Sequence, residues 1–207
     1  MKTRSQILSI VLAIMFCGLF FVYPASALDF EQWVGTWHSI SVKQKGLIGV
    51  EMNGVNLTEK LKNFSANDKG YVKFTSFGSN KLEGYIYSRD PNGAWEALPF
   101  SAVVLFGGGA DCVIKTENEV VQSGSFFDPD AGQGTYDQRF YFIARLSAKE
   151  KDGNLISGKI TGIGGYAKTS LIFSDYDITA ENAVSMVVTG KLVDDGKVPD
   201  EVQQATP

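Results

Sequence analysis

Histidine and cysteine are nearly absent from this chain: His38 stands alone, and Cys17 and Cys112 are the only thiols. One imidazole and two distant thiols cannot build a histidine- or cysteine-rich zinc site. Any Ser-His-Asp or Cys-His pairing would have to run through His38. That residue follows Trp37 directly, so on a strand it points to the opposite face from the tryptophan. Clusters of lysine and arginine are missing too, and the 19 basic residues are outnumbered by 23 acidic ones. A chain of that sign carries no footprint for a phosphate backbone, which excludes nucleic acid as the expected partner. No Gly-x-Ser-x-Gly elbow and no phosphate-binding glycine loop occurs. No cofactor is implied.

A long apolar run is present only at the start. Lys2 and Arg4 precede an almost wholly apolar stretch from Ile7 to Val22, and Pro24 then precedes Ala25-Ser26-Ala27. The order of basic, apolar and small residues predicts a secretory signal over 1–27. The run is short for a span that needs about 20 residues, so no stable membrane span is expected after cleavage. A secreted or periplasmic location follows. Cys17 would leave with the signal, and Cys112 would remain as a buried small hydrophobe that cannot form an internal disulfide. With Lys2 and Arg4 gone, 17 basic residues face 23 acidic ones.

The rest of the chain follows a two-residue hydrophobic period broken by short turns. Phe140, Phe142, Ala144 and Leu146 alternate with Arg139, Tyr141 and Arg145; Val184, Met186 and Val188 alternate with Ser185, Val187 and Thr189. Asp90-Pro91-Asn92-Gly93 reads as a hairpin turn between strands near Leu82–Arg89 and Trp95–Phe106. Further strands are expected around Trp37–Val42, Tyr71–Phe77, Cys112–Lys115, Val120–Phe127, Asn154–Ile163 and Tyr166–Phe173. Such a series predicts an all-β fold, a single antiparallel β-barrel of about 8–10 strands, because closure protects the sheet edges. A two-sheet sandwich is the competing arrangement. Leu57, Leu61 and Phe64 fall on one stripe of a two-turn helix, expected to dock across the barrel mouth or on its wall. The domain is expected over 28–192, and the polar stretch 193–207 as a flexible tail.

The first strand opens with Phe30-Glu31-Gln32-Trp33-Val34-Gly35-Thr36-Trp37. This resembles the Gly-x-Trp signature of the lipocalin-like (calycin) superfamily. The resemblance implies that Gly35 allows a close backbone approach while Trp37 plugs the closed end of a ligand-holding barrel. Ser174-Asp175-Tyr176 loosely resembles the same family's Thr-Asp-Tyr loop, whereas the family's late-strand arginine is replaced by Lys191 and its disulfides are absent. The glycine-rich stretch Ser157 to Tyr166 is also similar to the strand turns of allene oxide cyclase and dirigent barrels.

These readings lead to an exported binder of a small apolar molecule such as a lipid. Leu57, Leu61, Phe64, Tyr85, Tyr87 and Tyr141 are the interior or lid candidates. No residue is assigned a catalytic role. Two alternatives stay open. One is a barrel enzyme of the allene oxide cyclase type, with Tyr141, Arg139 or Arg145 as first candidates; the other is a filled barrel acting through its surface loops. Asp128 and Asp130 have the oxygen spacing of a calcium loop, but six to eight ligands are required and no glutamate completes the set, so a solvated hairpin loop is the fuller reading. Oligomeric state is not legible.

Overall fold

A computed structural model describes residues 30–56, 63–108, 110–152, 154–173 and 177–206. The signal segment 1–27, Leu57, Leu61 and Ser174-Asp175-Tyr176 lie outside the described residues.

Alternation of apolar and polar residues produces a single ten-stranded antiparallel sheet. Its members are β1 (Trp37–Met52), β2 (Val55–Asn56), β3 (Asn63–Gly78), β4 (Lys81–Arg89), β5 (Trp95–Gly108), β6 (Asp111–Thr116), β7 (Val120–Asp128), β8 (Gly132–Lys151), β9 (Asn154–Phe173) and β10 (Asp177–Val193). Neighbours run β10-β9-β8-β6-β5-β4-β3-β1, and β1 pairs β10 from Trp37↔Val193 to Met52↔Ile178. The sheet therefore closes into a ring and leaves no edge between its first and last long strands.

One stretch of the ring is built differently. β8 is shared lengthwise: β7 pairs its first half and β6 its second. β6 in turn pairs β5 only between Ala102 and Gly108. Among the described residues, Trp95 to Phe100 therefore have no ladder on that side, and side chains bridge the interruption instead.

The period of two assigns each residue a face. Ile40, Val72, Leu82, Ile86, Leu98, Phe100, Ile114, Leu146 and Ile160 belong to one buried cluster inside the ring. A second cluster lies on the outer face, where Trp37, Tyr87 and Ala97 pack with Val198 and Val202. The stretch expected as a flexible tail is thus folded: a 3-10 turn over Asp195–Lys197 leads into helix α1 (Asp200–Gln203), and both valines are at most 3% exposed. Two apolar residues spaced four apart suffice to dock it, a signal lost in the surrounding polar sequence. Of the stretch expected as a helix, Asn63 and Phe64 are described, and they belong to strand β3, where Phe64 pairs with Gly46. β9 runs unbroken through Gly164-Gly165, with a bulge opposite Ile143 and Ala144 in place of the expected gap.

Candidate functional site

One end of the ring is stoppered by the segment that precedes β1. A 3-10 turn over Glu31–Trp33 packs against β3 and β9, and Phe30 and Trp33 are fully buried. Phe30 lies 4.4 Å from Phe77, and Trp33 stands edge-on to Phe74 at 5.6 Å. Gly35, at φ +81°, turns the chain out of this plug; its N–H donates to the Phe74 carbonyl at 2.8 Å. The plug tryptophan is therefore Trp33. Trp37 projects outward, 4.9 Å from Tyr87 and beneath the Lys73 ammonium. The reason is strand parity: Ile40 and His38 share the inner face, so Trp37 cannot.

His38 sits under the plug. Its ring stacks on Trp33 at 5.1 Å and meets Phe74 edge-on at 5.5 Å. It is fully buried, and neither ring nitrogen has a hydrogen-bond partner. Burial alone lowers its pKa to about 4. Gly158 makes room for it, since a Cβ there would lie 2.4 Å from His38 Nε2.

Above this floor the ring encloses a largely apolar space. The continuous volume measures about 1530 Å³ and is walled on the inside by Ile40, Val42, Ile86, Phe100, Ile114, Phe140, Phe142, Leu146 and Ile160. The same volume also runs over outer-face residues such as Tyr71, Lys191 and Lys197, so the enclosed share is smaller. Pockets for small molecules commonly occupy about 300–1,000 Å³, and the space is of that order.

A polar segment stands in the wall at the break between β5 and β7. Ser88 and Glu96 pair across β4 and β5; Gln122 and Gln138 pair across β7 and β8. The Gln122 amide donates to Glu96 Oε2 at 2.7 Å, and its oxygen accepts from the Ser88 hydroxyl at 3.3 Å. The Tyr136 hydroxyl donates to Glu96 Oε1 at 3.2 Å. Burial, with the adjacent Glu96 charge adding to it, pushes the Tyr136 phenol up to about 12. Ser88, Gln122 and Gln138 all line the space.

The residues expected to touch a ligand lie elsewhere. Tyr85 and Tyr87 join the outer cluster, and Tyr141 lies on the outer face 5.3 Å from Tyr166. Gly84, Ile86, Phe140 and Phe142 hold the inward positions next to them. The structure places Phe64 on β3. Arg139 and Arg145 are also outward, paired with Asp137 and Asp111. Asp128 Oδ1 accepts from the Asp130 and Ala131 N–H groups at 2.8 Å each, so that carboxylate closes its own turn. Among the described residues no group of three or more His, Cys, Asp or Glu side chains is placed to hold a metal, and no helix is long and apolar enough to cross a membrane. Cys112 is buried on the inner face, where burial and the neighbouring Asp111 push its thiol up to about 12.

No protein-family description and no curated protein matches this sequence. Among solved structures, a protein of unknown function from Bacteroides ovatus aligns with 73% of this chain at 13% identity and a TM-score of 0.25. This chain spans 40% of that protein's length. A likeness at that level carries no argument about fold or function.

Proposed function

We propose that the chain is exported and holds a small, mainly apolar molecule inside its ring, in the manner of a lipocalin-like barrel. One observation carries the reading: a largely apolar space, stoppered at one end by Phe30 and Trp33, with hydrogen-bonding side chains of Ser88, Gln122 and Gln138 in its wall. Apolar walls with a few placed polar groups are the usual make-up of a small-molecule site. The Lys2, Arg4 and Ala25-Ser26-Ala27 pattern supports export. Closure of the sheet supports the barrel comparison, whereas the outward Trp37 gives the Gly35-Thr36-Trp37 motif no part in it.

The test is native mass spectrometry of the protein purified from its own compartment, before and after solvent extraction. The expected result is an excess mass that extraction removes, on a polypeptide beginning at Leu28. A bare mass, with no uptake from a mixed lipid extract, would overturn the binding reading.

A further inference from the structure

We propose that the plug is an acid-released latch: uptake of a proton by His38 drives Trp33 and its turn off the closed end and opens the ring there. The latch works on the plug alone, whether or not the ring holds a ligand.

The imidazole has no provision for charge. It is fully buried, and neither ring nitrogen has a hydrogen-bond partner. The groups packed on it are apolar: Trp33 of the plug, Phe74 of β3, and Gly158 of β9 against Nε2. Its cross-strand neighbours are Val72 on β3 and Leu192 on β10. Charged residues next to these positions turn away. Lys73, Lys159 and Lys191 alternate with the inward Val72, Gly158 and Gly190 and stand on the outer face, and Glu31 on the plug turn is exposed. Asp194, beyond Leu192, is exposed and paired with Lys197. Burial is accordingly the one cause that lowers the His38 pKa to about 4. A protonated ring here buries a charge and two N–H donors without an acceptor, which is strongly unfavourable until water reaches it.

Water has one easy route. β1 is laddered to β3 and to β10 on either side of His38, so moving the wall breaks two runs of backbone hydrogen bonds. The plug is held more lightly. Among the described residues its backbone is bonded to the wall only at Phe74. The Gly35 N–H donates to the Phe74 carbonyl at 2.8 Å, and the Phe74 N–H donates to the Thr36 carbonyl at 3.3 Å. The N–H groups of Trp33, Val34 and Thr36 are satisfied inside the segment. A local opening therefore costs far less than unfolding the ring. Once the plug lifts, Trp33 leaves the imidazole face and the ring regains its ordinary affinity for a proton. The ratio of lifted to seated plug is then constant above pH 6.5 and rises about tenfold per pH unit between 6.5 and 4.

The test is amide hydrogen exchange of the isotope-labelled protein, followed by NMR between pH 7 and pH 4.5, with each rate divided by the intrinsic rate at its pH. The Gly35 amide reports the plug, and the ladder amides of β1 and β3 report the wall. Gly35 is expected to be less protected than the slowest wall amides throughout, and to lose about a hundredfold in protection between pH 6.5 and 4.5. His38→Phe keeps an aromatic ring against Trp33 but takes up no proton, and is expected to hold the Gly35 protection constant. Three results would each overturn the latch: Gly35 protection flat with pH, an equal fall in His38→Phe, or Gly35 as protected as the slowest wall amides. If His38→Phe does not fold, His38→Gln takes its place. If neither folds, the slope of Gly35 set against the wall amides of the parent chain decides alone.

Discussion

At the scale of single residues, His38 carries the clearest consequence. Its folded pKa of about 4 lies below the ordinary 6.5. As pH falls below 6.5 the unfolded chain takes up a proton there, and the folded chain does not until about 4. Stability that is complete above that window is therefore lost within it, by about 3 kcal/mol at the lower end. Urea midpoints measured between pH 7 and pH 4.5 are expected to fall, and His38→Phe is expected to flatten that slope. A slope unchanged by His38→Phe would place the proton uptake on other groups. Gly158→Ala probes the same contact from across the ring. Its new methyl meets the imidazole, and overpacking of this kind costs roughly 1–3 kcal/mol. Pairing it with His38→Ala is expected to restore much of the loss in the urea midpoint.

At the scale of elements, the C-terminal turn and α1 act as a clasp on the outer wall. Val202 is fully buried and Val198 is 3% exposed, against Trp37, Tyr87 and Ala97. Val202→Ala removes two methylene equivalents and is expected to cost about 1–2 kcal/mol in chemical denaturation. A stop codon after Val193 leaves β10 whole, so the ring is expected to stay closed. The uncovered Trp37 would then shift tryptophan emission to longer wavelength. Unchanged emission would mean that the turn does not shield Trp37 in solution.

How much of this was legible in the sequence differs element by element. The alternation of Phe140, Phe142, Ala144 and Leu146 with Arg139, Tyr141 and Arg145 assigned the faces of β8 correctly. Phe64, the last of the three apolar residues at helical spacing, belongs to β3, whose register is set by its pairing with β1. The plug was misassigned because a motif names residues without stating their parity, and the helical turn before β1 is free of the pleat that binds Trp37. Glu96 and Gln122 had no role in the sequence analysis. Yet Glu96 is in phase with Leu98, Phe100 and Ala102, and Gln122 is in phase with Val120. A polar residue keeping step with an apolar row was the available signal.

At the scale of the whole molecule, the ring is closed by β1 and β10, the first and last of its long strands. Residues at nearly opposite ends of the sequence must find one another before either has a complete set of neighbours. Loop entropy is spent before those contacts reward it, and chains dominated by distant pairings fold in milliseconds to seconds, against microseconds for local ones. Stopped-flow tryptophan fluorescence is expected to show refolding in the slow range, and a microsecond relaxation would contradict the closure. A chain made from its N-terminus onward can assemble β3 to β9 as they emerge. β1, with one side unpaired, waits until the last strand is free, and for that interval the growing polypeptide keeps an open edge that other chains could join.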